Sequence, residues 1–185
     1  MASHHPILIV GGGLGGLTAA LALARRGLPA RVLEGAPAFG AIGYGIQFGP
    51  NVFHALDRIG VSEAVLAQAD APPAVLMIDA LTGKEVTRVP TGPSLRARFK
   101  YPYIIIHRID LHNAMLDACR REALITLEPD AMVARFIDHG DRVTVTPAPR
   151  SSKRVTIAWD SSVIRELRRQ ASSRALCRSM RWMMM

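Results

Sequence analysis

The chain alternates short apolar runs with segments in which apolar residues recur at helical spacing. Residues 7–10 form a continuous apolar run ending in a glycine cluster, the pattern of a parallel strand buried on both faces. A helix is predicted over residues 14–26, with Gly27 as its C-terminal stop. A second strand is predicted over residues 30–34. This order of strand, helix and strand predicts a βαβ unit.

Further helices and strands are predicted after this unit, and each begins or ends at a recognisable residue. Pro50 begins a helix that Gly60 ends, and Asp110 is placed to cap a helix running to about residue 122. Further strands are predicted over residues 75–79, 85–89, 103–106, 131–137 and 142–146. The predicted fold class is therefore α/β, a Rossmann-like domain with a parallel sheet flanked by helices and a small antiparallel β portion.

The glycine cluster after the first strand contains the pattern G-x-G-x-x-G at Gly11, Gly13 and Gly16. In dinucleotide-binding units the first glycine permits a tight turn and the second lets the backbone approach a pyrophosphate. The third permits close packing of helix on strand, and the helix N-terminus offers free N–H groups to the anion. Taken alone, the pattern is equally typical of a tight strand-to-helix connection.

Glu34 supplies the acid that such a unit places at the end of its second strand. It lies 23 residues beyond Gly11, where a carboxylate can accept hydrogen bonds from both ribose hydroxyls of an adenosine. A carboxylate at this position also disfavours a 2′-phosphate. The alternative is a solvated acid at a strand end, but strand, glycines, helix and acid together favour a dinucleotide site, for either NAD or FAD.

Two patches beyond Glu34 resemble class A flavoprotein monooxygenases, the single-component aromatic hydroxylases. One reads GIQFGPN and begins at Gly45, and the other reads IHRIDLH over residues 106–112. Over about residues 6–146 the sequence most resembles the 3-hydroxybenzoate 6-hydroxylases, followed by the salicylate hydroxylases. Ala41 and Tyr44 depart from the family pattern, which has an acidic residue and an alanine at these positions.

The resemblance implies FAD as cofactor and NAD(P)H as co-substrate. It implies that Arg108 reaches the FAD, that the turn at Gly45 lies beside the flavin, and that the backbone of Val133 contacts the adenine. In such enzymes the reduced flavin activates O₂ to hydroxylate an electron-rich phenol. The predicted FAD-binding residues are Gly11, Gly13, Leu14, Gly15, Gly16, Glu34, Gly45, Arg108 and Val133, and no catalytic residue is assigned.

Metal binding and disulfide formation are not expected. His107 and His112 flank Arg108 at poor metal spacing, so ordinary packing and surface roles are expected of both. Cys119 and Cys177 are far apart and form no CxxC pair. No membrane span or signal peptide is indicated, so a cytoplasmic location is expected. The resemblance implies a small aromatic substrate, and homo-oligomer formation is left open.

The positive charge is concentrated at the end of the chain. Of the net charge of +8, residues 1–146 contribute +1 (14 Lys/Arg, 13 Asp/Glu) and residues 147–185 contribute +7 (9 and 2). Because this charge does not interleave with the predicted elements, nucleic-acid binding is not expected. We divide the chain into an FAD-binding domain, residues 1–146, and an atypical basic tail rich in Arg, Ser and Met, residues 147–185.

The tail lacks two motifs that the family carries later in its sequence, an ADG segment and a GDAAHP segment. All 15 glycines lie at or before Gly140. One hypothesis is a frameshifted or aberrantly ended reading frame from about residue 147, which the other frames of the source gene would test. The alternative is a native tail. With the substrate domain incomplete, we expect this polypeptide alone to bind FAD weakly or not at all and not to hydroxylate.

Two other functions remain open on the sequence. One is an NAD(P)-dependent dehydrogenase or reductase, which uses the same glycine fingerprint. The other is a non-catalytic binding module that acts through the basic tail. The GIQFGPN and IHRIDLH patches favour the flavoprotein over the dehydrogenase.

Overall fold

The structure, a computed structural model, describes residues 6–40, 43–139 and 143–148. The helices in these ranges are α1 (Leu14–Ala24), α2 (Pro50–Ile59), α3 (Ser62–Leu66), α4 (Pro93–Phe99) and α5 (Arg108–Arg121). The strands are β1 (Ile7–Val10), β2 (Ala30–Leu33), β3 (Gly45–Phe48), β4 (Ala74–Ile78), β5 (Glu85–Pro90), β6 (Ile104–His107), β7 (Ile125–Glu128), β8 (Val133–Asp138) and β9 (Val143–Pro147). The tail beyond residue 148 lies outside the described residues.

A three-stranded parallel sheet confirms the predicted βαβ unit. Its order is β1-β2-β7, with Ile7 opposite Ala30 and Ala30 opposite Ile125. Strand β7 is not among the predicted strands. Its four residues, ITLE, alternate apolar with polar side chains directly after a helix and lack the continuous apolar run that marks β1.

The predicted burial of β1 on both faces is wrong. Residues Ile7–Val10 are only half-buried, and Val10 is 63% exposed. Among the described residues β1 pairs with β2 alone, so it lies at the edge of this sheet. Helix α1 also ends two residues earlier than predicted, at Ala24, while Gly27, with φ of 71°, forms the predicted C-terminal turn.

The predicted strand near residue 105 does not join the parallel sheet. Strand β6 pairs antiparallel with β3, placing Ile46 opposite Ile106. The chain passes directly from β6 into α5, so His107 is the N-cap residue and the predicted cap at Asp110 is wrong. Asp110 instead lies in the first turn of α5, where a carboxylate interacts favourably with the helix dipole.

Two antiparallel hairpins complete the described chain, as predicted. Strand β4 pairs with β5, and β8 pairs with β9. Helices α3 and α4, with five and seven residues, were not predicted because such short segments show little helical periodicity. No helix in the described ranges is long and apolar enough to cross a membrane.

The main core lies where α1 and α5 pack beside the parallel sheet. Leu17, Val32, Phe53 and Leu111 are completely or almost completely buried there. Two contacts set helix α5 against α1: Thr18 Oγ1 lies 3.7 Å from Met115 Sδ, and Cys119 Sγ lies 3.7 Å from the Leu17 carbonyl oxygen. This packing brings the first turns of α5 to the glycine turn before α1.

Candidate dinucleotide site

The predicted glycine motif forms a tight turn between β1 and α1. Gly11 has φ of 101°, a left-handed conformation that favours glycine, and its N–H donates to the Leu33 carbonyl at 2.8 Å. A Cβ added at Gly16 would lie 1.9 Å from the Gly11 carbonyl oxygen, whereas one added at Gly13 would meet no atom of the described residues within 4 Å. The first and third glycines therefore shape the turn, and the second leaves open space above it.

The N-terminus of α1 is left without a side-chain partner. Gly13 is the N-cap residue, no side chain among the described residues caps the helix, and its first turn contains no acidic residue. The first N–H groups of a helix have no acceptor within the helix itself. Together with the positive end of the helix dipole, the N–H groups of Leu14, Gly15 and Gly16 can bind an anion such as a pyrophosphate.

The Glu34 carboxylate is held in place by two backbone N–H groups. Its Oε2 accepts a hydrogen bond from Gly12 at 2.7 Å, and its Oε1 accepts one from Ala36 at 2.8 Å. Each carboxylate oxygen can accept more than one hydrogen bond. Glu34 can therefore accept ribose hydroxyls while it supports the glycine turn, which a freely solvated acid would not do.

The backbone just before Val133 lies beside the turn that follows Glu34. The Ala131 N–H donates to the Glu34 carbonyl at 2.7 Å, and Met132 packs against Gly35, where an added Cβ would be 3.0 Å from its methyl carbon. Val133 then begins β8 and is half-buried. Val133 therefore lies on the side of the site where Glu34 would hold the ribose. Its predicted contact with adenine stays a prediction.

Gly45 and Arg108 lie together at the start of β3 and of α5. Gly45 is opposite His107 in the β3–β6 ladder, and the Arg108 N–H donates to the Tyr44 carbonyl at 3.1 Å. The Arg108 side chain runs past Gly43, whose added Cβ would be 3.0 Å from Arg108 Cδ. Tyr44 is 93% exposed. The fold thus brings the IHRIDLH patch next to the GIQFGPN patch. This proximity is required if Arg108 and Gly45 are to contact the same ligand.

Two residues that contact the glycine turn, Phe39 and His112, were not predicted to take part in the site. A Cβ on Gly12 would lie 2.3 Å from the Phe39 ring, so the turn is enclosed on that side. His112 Nε2 lies 2.8 Å from the Gly12 carbonyl oxygen. His112 is 1% exposed, so the expected packing role is confirmed, but it also contacts the turn. The sequence signal for this role is the spacing of four residues between Arg108 and His112, which places both on the same side of a helix.

The described residues contain no group of three or more His, Cys, Asp or Glu side chains placed to hold a metal ion. The polar atoms at this site come from backbone N–H groups, one carboxylate and one arginine. Such a set suits a ligand with anionic and hydroxyl groups.

Comparison with known proteins shows the family to which this chain belongs. The family FAD_binding_3, described as FAD binding domain, matches residues 4–172. The chain is 44% identical over 140 residues to 3-hydroxybenzoate 6-hydroxylase of Polaromonas naphthalenivorans, covering 76% of this chain and 35% of that protein. It is 40% identical over 145 residues to 3-hydroxybenzoate 6-hydroxylase of Klebsiella oxytoca, covering 78% and 36%. The chain thus spans about a third of the length of these curated relatives.

Solved structures share the fold. The p-nitrophenol 4-monooxygenase PnpA of Pseudomonas putida has a TM-score of 0.70 at 21% identity, over 78% of this chain and 36% of that one. HpxO R204Q of Klebsiella pneumoniae, complexed with FAD, has a TM-score of 0.69 at 22% identity, over 85% and 38%. At this identity they show the fold alone. By its family match and its relatives, the chain belongs to the FAD binding domain family of the class A aromatic monooxygenases.

Proposed function

We propose that this chain is the FAD-binding portion of a monooxygenase that hydroxylates a phenolic aromatic acid of the 3-hydroxybenzoate or salicylate type, with NAD(P)H and O₂. The observation that carries the proposal is the joining of Glu34 to the glycine turn through the Gly12 N–H. It unites an anion-binding helix end with a ribose-binding acid in a chain 40–44% identical to three 3-hydroxybenzoate 6-hydroxylases.

The residues present fit the adenosine and pyrophosphate of FAD. The open space above Gly13 and the uncapped start of α1 suit the pyrophosphate. Glu34 would accept the ribose hydroxyls, and the backbone at Val133 would lie against the adenine. Arg108 would offer its forked donors to the flavin half of the cofactor, beside Gly45.

Bound FAD would supply the redox chemistry, accepting a hydride from the nicotinamide and activating O₂ for transfer to the ring. The part of this chain is to bind and orient the cofactor. The glycine turn would hold the pyrophosphate, and Glu34 and the backbone at Val133 would hold the adenosine, so that the position of the flavin ring would be set from a rigid base. None of the described residues is assigned a role in proton transfer.

The proposed ring substrate rests on the names of the relatives, whereas NAD(P)H as reductant rests on the family resemblance. Three of them are named 3-hydroxybenzoate 6-hydroxylases, and others are named 6-hydroxynicotinate 3-monooxygenase and 3-amino-4-hydroxybenzoate 2-monooxygenase. The names share an aromatic ring that carries a carboxylate and a hydroxyl group. We extend that substrate class to the enzyme to which this FAD-binding portion belongs.

A chimera tests the proposal. Residues 6–146 would replace the matching segment of the Polaromonas naphthalenivorans enzyme, with a Gly16→Ala chimera as control. We expect a yellow protein that releases FAD on heating, and NADH oxidation that 3-hydroxybenzoate stimulates. A folded but colourless chimera would contradict FAD binding. Because the substrate-binding part of the chimera comes from the Polaromonas naphthalenivorans enzyme, a yellow chimera that 3-hydroxybenzoate does not stimulate would contradict productive placement of the flavin by this segment.

Titration of the native chain separates FAD from NAD. The ADP portion is common to both cofactors, so ADP should compete with either of them. Because the chain alone is expected to bind FAD weakly, the relative affinities decide: in a flavoprotein site FAD should bind at least tenfold more tightly than NAD⁺, since its flavin half would contact Arg108 and the Gly45 turn. Tighter binding of NAD⁺ would favour a dehydrogenase instead.

A further inference from the structure

His112 is a buried polar residue for which the proposed function has so far no use. Its side chain is 1% exposed, on the face of α5 that packs against α1. Nε2 lies 2.8 Å from the carbonyl oxygen of Gly12, and Nδ1 has no hydrogen-bond partner among the described residues. A buried polar atom without a partner is costly, so the hydrogen bond at Nε2 must offset that cost.

The geometry determines which nitrogen of His112 carries the proton. A carbonyl oxygen only accepts hydrogen bonds, so Nε2 must be the donor. A second N–H at Nδ1 would be a buried donor without an acceptor, which is less favourable than a buried lone pair. His112 is therefore assigned as the neutral Nε2–H tautomer.

The hydrogen bond from His112 fixes the peptide group between Gly12 and Gly13. The described chain contains no cis peptide bond, and in a trans peptide the C=O and N–H point in opposite directions. With the Gly12 C=O turned inward to His112, the Gly13 N–H points outward. Gly13 is exposed, and in the part of the chain that the structure describes an added Cβ there meets nothing within 4 Å, so this N–H is directed into the open space proposed for the pyrophosphate.

Glu34 fixes the preceding peptide group in the same way. It accepts the Gly12 N–H at 2.7 Å, and that N–H shares a plane with the Gly11 carbonyl. Both peptide groups of Gly12 are therefore held, one by Glu34 from β2 and one by His112 from α5. Three consecutive glycines would otherwise have the widest rotational freedom of any backbone.

We infer that His112 is a positioning residue for the FAD-binding turn, holding the Gly12–Gly13 peptide so that the Gly13 N–H faces the pyrophosphate. This inference rests on the proposed FAD site. It also gives a physical reason for the spacing in IHRIDLH, because residues four apart lie on the same side of a helix. Arg108 would contact the cofactor, and His112, one turn later, would hold the turn that binds it.

Two substitutions of similar chemistry differ in reach. In His112→Gln the side-chain amide nitrogen can occupy the place of Nε2 and donate to Gly12. In His112→Asn the shorter amide ends near the place of Nδ1 and cannot reach that carbonyl. Met115→Leu, on the same buried face of α5, controls for general effects of core substitution.

The full chain would be compared in three measurements: ADP and FAD titration, amide hydrogen exchange of Gly13 and Leu14, and ¹⁵N NMR of the His112 ring. We expect the Nε2–H tautomer in the unmodified chain. His112→Asn should weaken ADP binding about tenfold and raise amide exchange at Gly13 and Leu14 by a similar factor. His112→Gln and Met115→Leu should change both by less than about threefold.

The outcomes separate the inference from the proposed function. If the chimera described under Proposed function folds but is colourless, and His112→Asn still speeds exchange in the turn, the FAD proposal fails and the restraint by His112 stands. An Nδ1–H tautomer, or equal exchange and equal ADP affinity in His112→Asn, His112→Gln and the unmodified chain, would overturn the inference. The tautomer measurement applies even if His112→Asn does not fold.

Discussion

The carbonyl oxygen of Gly11 lies where a Cβ of Gly16 would be, 1.9 Å from that position. The first turn of α1 is therefore packed directly on the end of β1. The obstructing atom belongs to the backbone and cannot move by a change of rotamer. The close approach of helix and strand, rather than flexibility, is the reason that the third motif position must be glycine.

Gly16→Ala should separate α1 from β1. We expect the free energy of unfolding to fall by roughly 1–3 kcal/mol, the range for overpacked sites, together with loss of FAD binding. Urea unfolding followed by circular dichroism measures the first and flavin fluorescence the second. Gly15→Ala is the matched control, because its Cβ meets nothing within 4 Å and alanine favours the helix by up to about 1 kcal/mol. Equal stability of both variants would contradict this account.

Gly13→Ala should separate binding from folding. Its backbone angles, φ of −74° and ψ of −177°, are open to any residue, and the added Cβ has free space. We expect the free energy of unfolding to change by less than about 1 kcal/mol. Affinity for ADP or FAD should fall at least tenfold, because the Cβ would enter the space of the pyrophosphate. Unchanged affinity would show that no phosphate approaches Gly13.

Much of this site could be predicted because its parts are close in sequence. Gly11, Gly13 and Gly16 act through local backbone geometry, and Glu34 ends the next strand. His112 and Phe39 could not be predicted in the same way, because their contacts with Gly12 depend on the packing of α5 and on the path of the chain after β2. A sequence motif describes the residues of one segment. The restraint on Gly12 instead comes from contacts with Glu34 after β2, with Phe39 further along the same loop and with His112 in α5.

Glu34→Gln should weaken both the glycine turn and nucleotide binding. Glutamine can accept a hydrogen bond at one oxygen, but its NH₂ group would face the second of the two N–H donors, from Gly12 and Ala36. A hydrogen bond to a charged acceptor contributes about 1.5–3 kcal/mol, so the free energy of unfolding should fall by about that amount. Glu63→Gln, at an exposed site in α3, should cost less than about 1 kcal/mol.

Glu34 should also determine which adenosine phosphates bind. The carboxylate repels a 2′-phosphate, so AMP should bind at least tenfold more tightly than adenosine 2′,5′-bisphosphate, which carries the same 5′-monophosphate. Glu34→Gln should reduce that ratio because the charge is removed. Isothermal titration with the two nucleotides measures it. A chain that prefers the 2′-phosphate would place Glu34 outside the nucleotide site.

Arg31 and Glu128 form a mostly buried ion pair between β2 and β7. Arg31 Nε donates to Glu128 Oε1, and Oε2 has no hydrogen-bond partner among the described residues, so Arg31→Ala would leave a buried charge unpaired. We expect a loss of about 3 kcal/mol in the free energy of unfolding. Arg88→Ala, which breaks the exposed pair with Glu85, should cost less than about 1 kcal/mol. The double variant Arg31→Met with Glu128→Leu should recover most of the free energy of unfolding lost in Arg31→Ala. If it does not, the unpaired charge is not the cause of the loss.

The thiol of Cys119 should be unreactive in the folded chain. Burial, with a smaller contribution from the charge of Glu122, raises the pKa of this thiol from 9.0 to about 11. The folded state therefore favours the protonated form, which is the less reactive form toward electrophiles. In a Cys177→Ser background, we expect almost no labelling by iodoacetamide at pH 8 until urea unfolds the protein.

The stability gained from the neutral thiol is complete below the ordinary pKa and is lost as the pH rises through about 11. A Cys119→Ala control should lack that part of the alkaline transition, and rapid labelling of the native protein at pH 8 would show that α5 does not keep this residue buried against α1.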